Sequence, residues 1–398
     1  MKKICIFTPM IFPIPAVKGG AVEGLVELII RMNEQYKLAD FTVVSIWDEE
    51  AEHISNKYKN TKFVFVKKKC CIDRIFLSKW IRYINIIGIK MWGKTIFSNP
   101  QVKRAWKKIR KGQFDRYVLE GGGDCYNFGY LNKKIDKNKL AIHFHGEVEG
   151  DLALAKWFGK YITVSNYIAR KLICNGKIDS SKVSVLPNCF DADSMKTTIS
   201  RTEIRSKYGF SDADVVYIFW GRLIPQKGAL ELIQAYKNLV KSCKNAKLLM
   251  VGSPNFGMPS SDGYNKYLEE LCNDDELKEK VVFTGFINHD EMGNILNAAD
   301  IGVIPSVWDD PAPLTVFEGM SKSLPLVVAN VGGIPEIVKN EYNGLIVRWS
   351  EHYVDDLENA MLRLYEDTEL RDILSKNAYM TAMQYNSERY YNSYIELM

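Results

Sequence analysis

Two acidic residues in the second half of the chain have the spacing needed to bind a sugar attached to a phosphate. Asp310 stands eight positions before Glu318, and a Pro-rich turn lies between them. Each carboxylate can accept hydrogen bonds from sugar hydroxyls. The turn runs into an apolar stretch, where the free backbone N–H groups of a helix start would bind an anion. The segment therefore predicts a site for a nucleotide sugar.

A basic loop precedes this segment. Residues 221–228 read G-R-L-I-P-Q-K-G, and they follow a strand-like run and precede a helix-like run. Arg222 and Lys227 flank the turn in this loop. At the carboxyl edge of a sheet they can hold a diphosphate, the guanidinium as a fork and the ammonium as a point charge. Surface charges on an ordinary loop are the alternative interpretation.

Three weaker signals lie elsewhere. Gly19 and Gly20 open the first helix-like stretch, where glycine lets the backbone approach a phosphate closely. His143 and His145 end an apolar run, and strand alternation places both on one side. His145 is nearer the loop and is the predicted ligand-binding residue. The run 281–287 ends in a glycine and a loop whose backbone could contact a nucleobase edge.

The elements that must position these residues alternate between short apolar runs and helix-like stretches. The strand candidates are 4–7, 41–46, 63–66, 116–119, 140–144, 161–164, 183–186, 215–220, 248–251, 281–284, 301–304, 326–329 and 344–347. This alternation predicts parallel βαβ units. The fold expected is α/β, with two Rossmann-like doubly wound parallel-sheet domains facing across a cleft.

The expected domain organisation has three parts. Residues 1–190 form an acceptor-binding domain and residues 191–370 form a nucleotide-sugar-binding domain. Residues 371–398 are expected to be helical and to pack back on the first domain. The polar stretch 191–208 is interpreted as a linker.

Composition excludes several protein classes. The 398 residues are 46% apolar and 25% charged, with a net charge of +5, as in ordinary globular proteins. No uninterrupted apolar run is long enough to span a membrane. The N-terminal apolar run is broken by prolines and predicts a first buried strand rather than a signal peptide. Eight scattered cysteines without C-x-x-C spacing indicate free thiols in a reducing cytoplasm.

The positive charge is concentrated in one segment, residues 67–111. This basic–aromatic segment holds fourteen Lys or Arg residues and one acid, Asp73, interleaved with aromatic and aliphatic residues. Such composition is typical of a surface that faces anionic lipid. A solvated helical face is the plainer alternative. No nucleic-acid-binding motif is present, so no nucleic-acid partner is expected.

Taken together, these motifs resemble those of GT-B glycosyltransferases of family 4, retaining enzymes that use nucleotide sugars. The resemblance covers most of the chain. It rests on the Gly19-Gly20 loop, the strand and turn 183–188, the basic loop, the V-F-x-G-F strand, the A-D-I-G-V-I-P-S run at 299–306 and the acidic pair. Two departures stand out: the family usually has Glu where Asp310 stands, and glycine where Cys189 follows Pro187-Asn188.

The resemblance implies specific roles. Arg222 and Lys227 would neutralise the diphosphate, Glu318 would bind the ribose, and Asp310 and His145 would face the sugar. The residues expected to contact the donor are Gly19, Gly20, Gly221, Phe286, Ile287, Pro313, Leu314, Thr315, Val316 and Glu318. No metal ion and no cofactor are expected, and the Asp191–Asp193 and Asp212–Asp214 pairs are interpreted as loop acids.

The expected activity is transfer of a hexosyl or deoxyhexosyl group to a saccharide hydroxyl, with retention of configuration. The basic–aromatic segment favours a lipid-linked acceptor and a cytoplasmic protein bound peripherally to the inner face of the membrane, in capsule or other surface-polysaccharide synthesis. Two alternatives remain open: a GT-B nucleotide-sugar isomerase and a non-catalytic nucleotide-sugar-binding subunit.

Overall fold

The structure is a computed structural model that describes residues 1–68, 73, 75, 79–92, 95–121, 128–146, 157–254 and 263–398. Cys70, Cys71, Cys125 and residues 69–72, 74, 76–78, 93 and 94 of the basic–aromatic segment lie outside the described residues. The five described cysteines are free thiols, as predicted. The chain divides into two compact units, Met1–Pro187 with Ser387–Met398, and Asn188–Asn386.

The first unit contains a seven-stranded parallel sheet in the order β3-β2-β1-β4-β5-β6-β7. Its strands are β1 Lys2–Phe7, β2 Ala39–Ile46, β3 Thr61–Val66, β4 Arg116–Gly121, β5 Leu140–Phe144, β6 Lys160–Thr163 and β7 Val183–Val185. Its helices are α1 Ala21–Tyr36, α2 Glu49–Ser55, α3 Lys79–Trp92, α4 Pro100–Ile109, α5 Asn166–Gly176 and the last helix of the chain, α14 Ser387–Leu397.

The second unit contains a six-stranded parallel sheet in the order β10-β9-β8-β11-β12-β13. Its strands are β8 Val215–Trp220, β9 Ala246–Val251, β10 Val281–Gly285, β11 Ile301–Ile304, β12 Leu326–Ala329 and β13 Gly344–Val347. Its helices are α6 Arg201–Lys207, α7 Ala229–Leu239, α8 Tyr264–Leu271, α9 Met292–Leu296, α10 Leu314–Ser321, α11 Ile334–Ile337, α12 Tyr353–Glu366 and α13 Thr368–Ala382.

All thirteen predicted strands are present, and most of their residues are buried, as expected for parallel sheets that are covered on both faces. The interpretation of residues 191–208 as a linker is wrong for its second half. Ser200 caps α6 by accepting from the Glu203 amide, and the Arg205 guanidinium donates to Asp300 at 2.6 Å. A polar stretch can therefore belong to a packed unit when its charges are paired.

The C-terminal helices divide between the two units. Helix α13 buries Leu374 and Ala378 in the core of the second unit, so that unit extends beyond residue 370. Helix α14 packs on α1, where the Tyr391 hydroxyl lies 2.6 Å from the Asn33 side-chain oxygen. Of the segment 371–398, it is α14 that belongs to the first unit.

Strand order places the predicted site residues at a particular point of each sheet. In a doubly wound sheet, ligands bind at the carboxyl ends of the strands where the strand order reverses. That point lies between β1 and β4 in the first unit and between β8 and β11 in the second. Gly19 and Gly20 follow β1, the basic loop follows β8, and the acidic pair follows β11.

Candidate functional site

The basic loop after β8 is held against the loop that follows β11. Gly228 has a φ of 74°, and a Cβ at this position would lie 1.9 Å from the Pro305 carbonyl oxygen. Glycine is therefore required here for both its backbone conformation and its lack of a side chain. The Val307 amide also donates to the Gln226 carbonyl at 3.0 Å. These contacts place Lys227 beside the acidic segment.

Lys227 and Asp310 form an ion pair that joins the two predicted motifs. The Lys227 Nζ lies 2.5 Å from Asp310 Oδ2, and the two side chains are 19% and 6% exposed. Gly332 and Gly333 secure the Asp310 backbone, because the Gly333 amide donates to the Asp310 carbonyl at 2.8 Å. Asp310 thus aims the ammonium group, which keeps two further N–H donors for another anion.

The Pro-rich turn leads into α10 as predicted. Pro313 precedes the helix, and no side chain caps its N-terminus. The first amides of a helix point away from its body and attract anions. Thr315 in this first turn lies near the basic loop, since a Cβ on Gly221 would be 3.9 Å from the Thr315 methyl group. Leu314 and Val316 complete the turn.

Asn188 is a positioning residue that the sequence analysis did not assign. Its side-chain amide donates to the Ala312 carbonyl at 2.8 Å, within the Pro-rich turn. Cys189 has no positive φ, so the Pro187-Asn188-Cys189 turn needs no glycine there. The family resemblance pointed to Asn188 only as part of a turn; its hydrogen bond is a long-range contact that spacing cannot predict.

Glu318 lies just over one turn into α10 and is nearly buried. Its Oε1 accepts from His289 Nε2 at 3.0 Å, and its Oε2 accepts from Trp220 Nε1 at 2.9 Å. Burial alone would lower the pKa of His289, but the hydrogen bond and charge of Glu318 outweigh it and raise that pKa above its usual value. Neither His289 nor Trp220 was predicted from the sequence.

The remaining predicted donor-contact residues of the second unit are less enclosed. Arg222 is exposed on the basic loop, and Phe286 is exposed just after β10. Ile287 is partly buried and packs against the core of this unit. The loop that carries Phe286 and Ile287 continues to His289, which connects it to Glu318.

One predicted residue of the first unit, His145, contacts a second carboxylate, Glu120. Glu120 is the next-to-last residue of β4 and is paired in register with His143 on β5. Glu120 Oε2 accepts from His143 Nδ1 at 2.9 Å and from His145 Nε2 at 2.7 Å, while Oε1 accepts from the Tyr394 hydroxyl at 2.9 Å. Both histidines contact the same Glu120 oxygen and so lie on one side of the strand, as predicted. The Nε2 atom of His145, which was expected to face the sugar, is hydrogen-bonded to Glu120.

The ionisation states in this cluster follow from burial and hydrogen bonding. Burial alone would raise the pKa of Glu120, but the charges and hydrogen bonds of His143 and His145 lower it well below its usual range. Burial and the neighbouring His143 lower the pKa of His145, against the opposing effect of Glu120. The cluster therefore contains an ionised carboxylate surrounded by donors.

Glu120, His143 and His145 also have ligand atoms within 4.8 Å of one another, a spacing that a metal site could use. An ionised carboxylate only accepts hydrogen bonds, so each imidazole nitrogen that faces it carries a proton. Those nitrogens offer no lone pair to an ion at that point. The donor set fits a hydrogen-bond network better than a metal centre.

Gly19 and Gly20 begin α1 near this cluster. Their φ values are 74° and 108°, which favour glycine. A Cβ on Gly20 would lie 2.2 Å from the Glu23 carboxylate, which is folded back over the helix start. Burial raises the pKa of Glu23, and His145 opposes that change through its charge. Gly20 and His145 are thus both neighbours of Glu23.

The two parallel-sheet α/β units have the fold of GT-B glycosyltransferase structures. Residues 200–381 match the family described as "Glycosyl transferases group 1". A putative glycosyltransferase of Bacillus subtilis, YtcC, is 29% identical over 381 residues, which cover 92% of this chain and 84% of that protein.

Two further comparisons concern proteins with named ligands. The "UDP-Gal:alpha-D-GlcNAc-diphosphoundecaprenol alpha-1,3-galactosyltransferase" of Escherichia coli is 30% identical over 203 residues, 50% of this chain and 49% of that protein. The crystal structure of Anabaena HepE in complex with UDP aligns with a TM-score of 0.73 at 18% identity. That alignment covers 100% of this chain and 99% of HepE. The structural likeness shows the shared fold.

Proposed function

We propose that this protein is a retaining glycosyltransferase that moves a hexosyl or deoxyhexosyl group from a nucleoside diphosphate sugar to a saccharide hydroxyl. The observation that carries the proposal is the arrangement in the second unit: Lys227 pairs with Asp310, which precedes the uncapped start of α10, and Glu318 follows on that helix. A cation, helix-start amides and a carboxylate match the diphosphate and the ribose of such a donor.

The proposed chemistry stabilises the leaving group. As the bond from the sugar to the diphosphate breaks, negative charge builds on the phosphate oxygens. Arg222, Lys227 and the first amides of α10 would offset that charge, and Asp310 already holds Lys227 in place. With retention by front-face attack, the leaving phosphate would take the proton of the acceptor hydroxyl. The proposal includes no metal ion and no cofactor.

Kinetics of Arg222→Ala and Lys227→Met test this proposal. Each variant is expected to lower kcat by about 10²–10³-fold, as when one preorganised donor is removed. Lys266→Ala is the matched control, because it also removes one positive charge, from an exposed side chain on α8. This variant should leave kcat unchanged. A panel of nucleotide sugars, assayed with and without a lipid-linked saccharide acceptor, supplies the substrates.

A second variant separates chemistry from folding. Lys227→Met leaves the nearly buried Asp310 carboxylate without its counter-charge, which can destabilise the unit. Lys227→Met combined with Asp310→Asn removes both charges and should restore the melting temperature but not turnover. Full turnover in the double variant, or a product formed without any acceptor, would contradict a transferase that uses Lys227.

We further propose a lipid-linked acceptor, a polyprenyl-diphosphate saccharide, bound by a peripheral protein at the cytoplasmic face of the membrane. The Escherichia coli relative is named for a diphosphoundecaprenol-linked substrate. In this chain, large apolar side chains of the basic–aromatic segment are exposed. They are Ile75, Trp80, Tyr83, Met91, Trp92, Ile96 and Phe97. Among the described residues, no helix is long and apolar enough to span a membrane.

Flotation with anionic liposomes tests the membrane proposal. Wild-type protein should float with the vesicles at low salt and dissociate as salt rises, because basic side chains attract anionic lipid. Trp80→Ala should reduce flotation, since this indole is 78% exposed on α3. Trp349→Ala is the matched control, an exposed tryptophan of the second unit. Equal flotation of both variants would count against a role for this segment.

A further inference from the structure

Glu318 is held by two side chains that no sequence motif joins to it. Its carboxylate is 7% exposed, and each of its oxygens accepts one hydrogen bond, from His289 and from Trp220. A carboxylate offers about four lone-pair positions. Two of them therefore stay available for a ligand, in directions that the two protein donors set.

Trp220 is itself fixed by packing. It ends β8, and its ring fills a space that two glycines leave open. A Cβ on Gly319 would lie 2.7 Å from the ring, and a Cβ on Gly302 would lie 3.1 Å from it. The indole N–H is a donor only, so it determines which way Glu318 Oε2 faces. The indole N–H does not ionise, so this donor is present at every pH.

His289 differs because it is half exposed and can ionise. It lies in the loop after β10, and its side chain is 51% exposed. The charged groups that act on it are Glu318 of α10, Asp191 of the segment before α6, and the adjacent Asp290. All three carry negative charge when ionised, so they favour the protonated imidazole. His289 thus couples the orientation of Glu318 to a proton.

We propose that His289 and Trp220 are positioning residues that hold the Glu318 carboxylate for the two ribose hydroxyls of the donor. The inference rests on the proposed function, which assigns the ribose to Glu318. It adds a proton-linked step, because protonated His289 makes a charge-assisted hydrogen bond to the carboxylate and holds it most firmly. Donor affinity therefore decreases as pH rises through the pKa of His289.

The first experiment tests the hydrogen bond between His289 and Glu318 by measuring the pKa of His289 without any substrate. The chain has five histidines, so a histidine-labelled sample gives a tractable NMR spectrum, and His289→Gln assigns the signal. In wild-type protein the pKa of His289 should lie above that of a free histidine, and in Glu318→Gln it should fall. Equal pKa values in the two proteins would overturn the pairing.

The second experiment measures how the hydrogen bond between His289 and Glu318 affects nucleotide binding. UDP, GDP, ADP and dTDP are screened by calorimetry, and the tightest ribonucleotide is compared with its 2′-deoxy form. Wild-type protein should lose about 10–150-fold in affinity with the deoxy form, as expected for one lost hydrogen bond to a charged group. In His289→Ala the loss of affinity caused by removing the 2′-hydroxyl should fall to about twofold, because His289 no longer orients the Glu318 carboxylate.

Three readouts separate positioning from general damage. The donor KM of His289→Ala should rise while kcat stays within about threefold, and the affinity of this variant should lose its dependence on pH between 6 and 8. Trp220→Phe keeps the packing and should raise KM at all pH values. An unchanged deoxy penalty in His289→Ala overturns the proposal. Failure of every nucleotide to bind, with the NMR pair intact, overturns the proposed function as well.

Discussion

Glu120 in the first unit and Glu318 in the second are both buried carboxylates bonded to imidazoles, yet their surroundings differ. Glu120 is fully buried and accepts from three donors, two of them on one oxygen. Glu318 accepts from two donors, and one of these is half exposed. A carboxylate enclosed by buried donors stabilises a core, whereas one that has two lone-pair positions left at a sheet edge can still bind a ligand. Similar residue types thus serve different purposes.

The largest effect is expected from removing the fully buried carboxylate, Glu120. Glu120→Leu leaves His143, His145 and Tyr394 without their common acceptor in a site that excludes water. The first unit should lose about 3–5 kcal/mol of unfolding free energy, the usual cost of breaking a buried charge pair. Hydrogen exchange of peptides from β4 and β5 measures this, with peptides from β8 and β11 as the internal reference. Unchanged exchange would show that Glu120 is not a structural centre.

A smaller loss is expected from removing one donor. Tyr394→Phe keeps the ring of α14 in place but leaves Glu120 with two hydrogen bonds. A hydrogen bond to a charged group contributes about 1.5–3 kcal/mol, so β4 and β5 should exchange faster than in wild-type protein. Tyr379→Phe, an exposed tyrosine on α13, is the control. If both variants behave alike, the Tyr394 contact contributes nothing measurable.

Glu318→Gln should show the opposite pattern, with binding affected more than folding. The amide keeps one acceptor oxygen, but it removes the charge that strengthens hydrogen bonds from the ribose. Affinity for the tightest nucleoside diphosphate should fall about tenfold, or about 1.4 kcal/mol, while hydrogen exchange in the second unit stays close to wild type. A stability loss as large as that of Glu120→Leu would remove the distinction between the two carboxylates.

The smallest effects are expected from pH, and they should have opposite signs in the two units. The pKa of His145 is lowered in the folded state, so the unfolded chain binds more protons as pH falls below about 6.5, and the first unit loses stability. The pKa of His289 is raised, so its contribution is complete below about 6.5 and is lost as pH rises through the folded pKa.

Exchange measured from pH 5.5 to 8 in wild-type protein, His145→Gln and His289→Gln tests these signs. Each substitution should flatten the pH trend of its own unit and leave the other unit unchanged. The assigned pKa shifts would be contradicted if the stability of both units changed with pH in the same direction in wild-type protein. They would also be contradicted if neither histidine substitution altered the pH dependence of its unit.

Local sequence patterns determined much of this protein. Thirteen apolar runs bounded by polar loops correspond to thirteen strands, because strands covered on both faces need continuous apolar residues. The basic loop and the acidic pair were also evident, since each consists of residues close together in the chain. Asp310 and Glu318 lie on one turn-and-helix segment, and their spacing is a local property.

Tertiary structure decided which side chains the carboxylates contact. Lys227 and Asp310 are 83 residues apart, Trp220 and Glu318 are 98 apart, and Tyr394 and Glu120 are 274 apart. These pairs depend on strand order, on the register that sets His143 opposite Glu120, and on glycines that let loops approach. A sequence shows which groups can donate and accept, but their partners depend on how distant segments pack.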